Sequence, residues 1–233
     1  FGRPEGLIPL WVADMDFCVP DQVQETLRRC AEHGVFGYTD VKPEYYQVLG
    51  KWFKDHFGWQ TEASWVVKSP GVVFALAAAI RAFSKEGESI LIQQPVYHPF
   101  ANVINANERR LVVNQLVSKD GAYRMDYEDF EKKIVEEKVK VFLLCSPHNP
   151  VGRVWTREEL QRVGDICLKH KVLVVSDEIH CDFTYPGYQH LVFASLGQAY
   201  ADNAIVCTAP SKTFNLAGLQ ASNIWIPNSD IRE

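Results

Sequence analysis

Five stretches of this sequence place polar, titratable or aromatic groups directly after an apolar run. KSPGVVFAL follows WVV, PVYHPF follows LIQQ, SPHNPVG follows VFLLC, DEIHCD follows VLVVS, and APSKTFNLAG follows AIVCT. Apolar runs of this length read as buried strands, and in an open α/β sheet ligands bind beyond the carboxyl ends of the strands. Asp177 ends such a run, where a carboxylate is desolvated and needs a cation, and a protonated ring nitrogen of a flat heterocycle would supply one. Lys212 follows another run, where an amine held partly out of water becomes a nucleophile toward an aldehyde. Ser211 and Thr208 offer hydroxyls to a phosphate, and Gly218 offers a tight turn. Gly71 opens a helix whose free N–H groups and dipole suit the same anion. Asn149 sits in a proline-restricted turn aimed at the strand ends, and Tyr97 could stack on a planar ring. Each residue taken alone also fits a plainer role: a capping aspartate, a solvated lysine, an Asn-Pro turn, a core tyrosine.

The elements that must position these groups follow from periodicity. From about Trp65 onward, Val/Ile/Leu-rich runs alternate with amphipathic segments such as YEDFEKKIVEEK and TREELQRVGDICLKH, the rhythm of an α/β fold with a mostly parallel central sheet flanked by helices. RRLVVNQLV reads as one strand. Thr156 and Glu159 are spaced as a capping box. Upstream, helices are expected over Asp21 to His33 and Pro43 to Phe57, joined by the loop GVFGYTD. The expected division is a helical segment with a contact loop over 1–64 and a ligand-binding large domain over 65–233. The ends of the chain resemble no natural domain boundary, so a fragment of a longer protein is expected.

Composition narrows the function classes. The chain has 233 residues, 47% of them hydrophobic, which is enough for a full core. Its 24 Lys+Arg against 29 Asp+Glu give a net charge of -5, and no window gathers a basic patch for nucleic acid or a membrane surface. The six cysteines lack metal-ligand spacing and mostly lie in apolar runs, so buried free thiols in a reducing compartment are expected, with no metal site and a cytoplasmic address. The apolar stretch GVVFALAAAI is too short to span a bilayer.

The order GVVFAL, PVYHPF, PHNPVG, DEIHCD, SKTFNLAG resembles the fold-type I (class I/II) aminotransferase superfamily, whose members use pyridoxal 5′-phosphate (PLP). LIPLWVADMDF, FGYTD, GVVFAL and DEIH are similar to its subgroup of cystathionine β-lyases and related carbon–sulfur lyases. The resemblance implies a PLP-dependent transferase-like large domain, with the C-terminal small domain absent from this chain. It makes Lys212 the lysine that forms the Schiff base, Asp177 the partner of the pyridine nitrogen, Asn149 a donor to the 3′-oxygen and Tyr97 the stacking ring. Gly71, Val72, Val73, Thr208 and Ser211 would surround the phosphate, and Tyr38 would reach it from a neighbouring subunit, which implies a homodimer. His180 stands where aminotransferases of the superfamily generally carry tyrosine. The superfamily's carboxylate-binding arginine has no counterpart, since neither Arg3 nor Arg232 matches its position.

The activity implied is α,β-elimination from a sulfur-containing amino acid, yielding pyruvate, ammonia and a thiol, with Lys212 as general base and Asp177 sustaining the electron sink. Two alternatives remain at this level: an aminotransferase, which uses the same residues, and a PLP-binding regulatory module with little catalysis. A dinucleotide-binding domain is disfavoured because no GxGxxG follows a strand.

Overall fold

The computed structural model describes Gly6, Ile8 and residues 13–233. The remaining positions, which include Arg3 and much of the first half of LIPLWVADMDF, lie outside the described residues. Nine strands and nine α-helices occur among the described residues. The strands are β1 (Val66–Ser69), β2 (Ser89–Gln94), β3 (Arg110–Gln115), β4 (Val117–Lys119), β5 (Ala122–Arg124), β6 (Val141–Cys145), β7 (Leu173–Asp177), β8 (Ala204–Thr208) and β9 (Ser222–Trp225). The helices are α1 (Asp21–His33), α2 (Pro43–Phe57), α3 (Val72–Phe83), α4 (Pro99–Ala106), α5 (Tyr127–Glu136), α6 (Arg157–His170), α7 (Gln198–Ala201), α8 (Pro210–Thr213) and α9 (Ser229–Arg232).

Local chemistry fixes the helix ends. α1 and α2 both stop at a left-handed glycine, Gly34 at φ 69° and Gly58 at φ 66°, where a side chain would be strained. Pro43 opens α2, where its missing N–H would have had no partner in any case. Both halves of the expected capping box form at α6. Glu159 N–H donates to Thr156 Oγ1 at 3.2 Å, and Thr156 N–H donates to the Glu159 carboxylate at 2.8 Å.

Seven strands form one sheet in the order β1-β9-β8-β7-β6-β2-β3. β9 runs antiparallel to both of its neighbours, and the remaining pairs are parallel. Strands buried on both faces show no polar alternation in sequence, yet parity still divides their side chains. In VFLLC, Val141, Leu143 and Cys145 join Leu76, Ile80, Phe100 and Ile104 of α3 and α4 on one face, while Phe142 and Leu144 meet Phe130, Leu160 and Val163 of α5 and α6 on the other. A third cluster seats Phe53 of α2 and Trp59 against Val206 and Trp225. α1 contributes no buried residue.

Two expectations are corrected here. RRLVVNQLV is divided between β3 and β4, because buried Leu116 donates its N–H to Gln94 O at 2.7 Å and the chain then turns back as the hairpin β4–β5. The turn is Asp120-Gly121, at φ 53° and 74°, the positive-φ pair that suits a two-residue hairpin. Of the six cysteines, Cys145, Cys167, Cys181 and Cys207 are buried, whereas Cys18 and Cys30 are exposed, Cys30 lying on α1, which buries no side chain.

Candidate active site

The carboxyl ends of β2, β6, β7 and β8 and the start of α3 enclose a cavity of about 680 Å³. All five stretches singled out in the sequence meet in it. Gly71, Val72 and Val73 come from the β1–α3 junction, Tyr97 from the β2–α4 loop, and Asn149 from the β6–α6 loop. Asp177 and His180 come from the end of β7, and Ser211 and Lys212 from α8.

Asp177 is 6% exposed, and its Oδ1 accepts the Ile179 N–H at 3.1 Å. Burial, and secondarily the charge of Glu178, raises its pKa to about 7, although Lys212 and the Ile179 N–H pull the other way. A carboxylate this deep favours its proton unless a cation approaches. The half-buried His180 ring is held below its ordinary value by burial and then by the positive charge of Lys212, which favours neutral imidazole.

Backbone and side-chain contacts tie the loops together. Tyr97 N–H donates to Asn149 O at 3.0 Å, and Asn149 N–H donates to Cys145 Sγ at 3.4 Å. Buried His148 lies 2.9 Å through Nε2 from Pro95 O. A carbonyl can only accept, so Nε2 carries the proton, and burial lowers the pKa to about 4 to keep the ring neutral. The Asn149 loop is thereby fastened to the Tyr97 loop at two points.

Two sequence assignments change, at Thr208 and at Gly218. Thr208 does not line this cavity: its hydroxyl donates to Asn223 O at 2.9 Å and accepts from Trp225 Nε1 at 3.1 Å, so it is committed to the protein's own structure. Parity is the reason, since Thr208 follows Val206 onto the face under α2 while Cys207 faces α3. Gly218 does not have positive φ, and Asn215 (φ 55°) and Gln220 (φ 50°) are the left-handed positions that turn this segment. Tyr38, 112% exposed, lies away from the cavity of its own chain. Arg232 donates to Ile226 O at 2.7 Å and is likewise not part of the cavity wall.

The structure adds residues that the sequence reading passed over. Cys145, Phe74, His98 and Gln220 also face the cavity, together with Ala13 from the segment held by Asn215. Phe74 lies within GVVFAL and His98 within PVYHPF, so the strand-end signal includes both. Gln220 and Ala13 carried no local signal.

An open, mostly parallel sheet with a lysine, a buried aspartate and an asparagine gathered at its strand ends defines a class of α/β enzyme domain built around one large ligand cavity. The chain belongs to the aminotransferase class I and II family, which it matches over residues 6–232. It is 46% identical over 228 residues to cystathionine beta-lyase PatB of Bacillus subtilis, a match covering 98% of this chain and 59% of that protein. Cystalysin from Treponema denticola, whose crystal structure contains a pyridoxal 5′-phosphate cofactor, superposes with a TM-score of 0.94 at 44% identity, covering 98% of this chain and 58% of that one. A PLP-bound putative aminotransferase from Clostridium difficile superposes with a TM-score of 0.93 at 42% identity, over 97% of this chain and 58% of that one. The chain spans about three-fifths of the length of the curated relatives it matches. No helix among the described residues is long and apolar enough to cross a membrane.

Proposed function

We propose that this chain is the PLP-binding part of a carbon–sulfur β-lyase that acts on sulfur-containing amino acids by α,β-elimination, giving pyruvate, ammonia and a thiol. The observation that carries the reading is the convergence of Lys212, Asp177, Asn149 and Tyr97, from four separate strand ends, on one cavity. The donor set fits the cofactor. Asp177 is a buried carboxylate to which no cation among the described residues is bonded, the partner that a protonated pyridine nitrogen requires. A Cβ built on Gly71 would meet no protein atom within 4 Å, so the missing side chain there leaves cavity space at the start of a twelve-residue helix.

When bound, PLP supplies an electron sink conjugated to the substrate Cα, so that electrons released there can expel a β-sulfur. The protein's part is to bind, orient and move protons. The Lys212 amine would hold the cofactor covalently and, once displaced by substrate, take the Cα proton. Asp177 would keep a proton on the ring nitrogen, and Tyr97 would cover one face of the ring. Asn149 and His180 would address the ring oxygen. The first N–H groups of α3, at Val72 and Val73, with Gly71 and Ser211, would hold the phosphate.

We also propose a homodimer in which Tyr38 serves the neighbouring subunit's cofactor, a cytoplasmic address, and a division into an N-terminal contact segment (1–64) and a large domain (65–233). The exposure of the whole Gly34–Asp40 loop supports the first of these. The aminotransferase reading is kept alongside because of the likeness to the putative aminotransferase above. Incubation with L-cystathionine separates the two. Pyruvate and thiol formed without any added keto acid support the lyase; amine transfer that depends on a keto acid, with no pyruvate or thiol, overturns it.

A further inference from the structure

The turn that carries Lys212 is short. α8 has four residues and begins with a proline, and it is followed by backbone bonds from Phe214 N–H to Pro210 O at 3.0 Å and from Leu216 N–H to Ser211 O at 2.9 Å. An isolated turn of helix has little stability of its own, so neighbouring side chains must fix where it lies. Thr213, next to Lys212, donates its hydroxyl to Asp182 Oδ2 at 2.5 Å. The other carboxylate oxygen, Oδ1, accepts from Trp52 Nε1 of α2 at 3.2 Å. Trp52 in turn stacks on His56 at 3.8 Å between ring centroids and meets Phe214 edge-on at 5.6 Å. On the far side of the turn, Asn215 Nδ2 donates to Met15 O and Phe17 O, each at 3.1 Å.

Asp182 therefore joins three segments of the chain. It lies on the loop that has just carried Asp177 and His180 into the cavity, and it grips the turn that carries Lys212. It does not line that cavity itself, and its hydrogen bond to the Lys212 turn is made through Thr213.

We propose that Asp182, through its hydrogen bond to Thr213, is a positioning residue that sets the Lys212 amine relative to Asp177 and His180. The inference rests on the reading of Lys212 as the residue that bonds PLP. The test uses the whole protein freed of cofactor and measures, by absorbance, how fast Lys212 bonds added PLP; competition by inorganic phosphate reports the phosphate site separately. Asp182→Ala and Thr213→Val are each expected to slow bonding by about tenfold to a hundredfold, the scale on which small misplacement of a reacting group acts. Phosphate competition is expected to stay unchanged. The double variant is expected to be no slower than the slower single one, and Asp182→Asn, which keeps one carbonyl acceptor for Thr213, to recover most of the rate. An unchanged rate in Thr213→Val, which keeps the shape of threonine and decides the matter should Asp182→Ala not fold, would overturn the role of Asp182. Multiplying effects in the double variant would overturn the route through Thr213. If the unsubstituted protein takes up no PLP, it is the functional reading that falls.

Discussion

At the strand ends, side chains from five loops separated by up to about 140 residues face one another across a single cavity; in α1 and the loop after it, not one side chain from Asp21 to Asp40 is buried. Both regions were equally plain in sequence. The helix of α1 has its left-handed glycine cap, just as α2 does, yet Phe53 of α2 is 3% exposed and Phe36 in the loop is 79% exposed. A helical signal is local, whereas burial needs a partner surface. The strand-end loops find theirs in one another, and Val35, Phe36 and Tyr38 present apolar area that nothing described covers.

The contrast can be broken most sharply at Lys212. In the purified protein, borohydride reduction followed by peptide mapping is expected to find PLP on Lys212, and Lys212→Ala is expected to lose both the label and β-elimination. A label on another lysine would remove Lys212 from its proposed role.

Next in size is the difference in packing. Phe53→Ala empties a site among Trp59, Val206 and Trp225 and is expected to destabilise the protein by about 3–5 kcal/mol, whereas Leu27→Ala on α1 is expected to change stability by under about 0.5 kcal/mol in dilute, dissociated protein. Denaturant unfolding of both variants gives the comparison directly. Equal losses would mean that α1 is packed after all.

Asp177→Asn is expected to leave most PLP binding intact while weakening turnover by roughly 3 kcal/mol, the scale of other preorganised electrostatic groups. The same residue predicts a pH signature in the cofactor-free protein. Its pKa is raised from 3.8 to about 7, so the folded form holds the proton more tightly than the unfolded chain does. That contribution is fully present below pH about 4 and is lost as pH rises through about 7, a decline on the order of a few kcal/mol. The neutral Asp177→Asn has no such titration, so the unsubstituted protein should lose stability relative to the variant as pH rises across this window, and the two curves should separate. Parallel curves would show that Asp177 is not desolvated in solution.

The smallest effect on stability is expected at Tyr38. Tyr38→Phe alters a fully exposed ring, so unfolding should shift by under about 0.5 kcal/mol in dilute protein, while activity of the dimer falls. Mixing Tyr38→Phe with Lys212→Ala chains then tests the shared site. Residues acting across an interface leave one site of a heterodimer with both defects and the other with neither, so activity partly returns. No recovery after verified subunit exchange, given an inactive Tyr38→Phe, would place both residues in one chain's site.

What the sequence determined by itself was whatever short-range chemistry controls. Helix ends at Gly34, Gly58 and Thr156, the seven strands of the sheet and the strand-end position of Lys212, Asp177, Asn149 and Tyr97 all follow from glycine φ, capping side chains and runs of β-branched residues. The hairpin at Asp120-Gly121 is equally local, its positive-φ pair interrupting an apolar pattern that reads as continuous through Val117. Tertiary structure alone decided which side of each strand end meets the cavity. AIVCT is buried at every position, so nothing in its pattern could say that Thr208 turns toward Trp225 while Cys207 turns toward α3. The antiparallel pairing of Thr208 with Asn223 of β9 settles it. The same holds for Asp182, whose partners Trp52 and Thr213 lie 130 and 31 residues away. Their meeting depends on how α2 and the Lys212 turn pack at the edge of the sheet, a choice made by the summed burial of the core and by no residue near Asp182 in the chain.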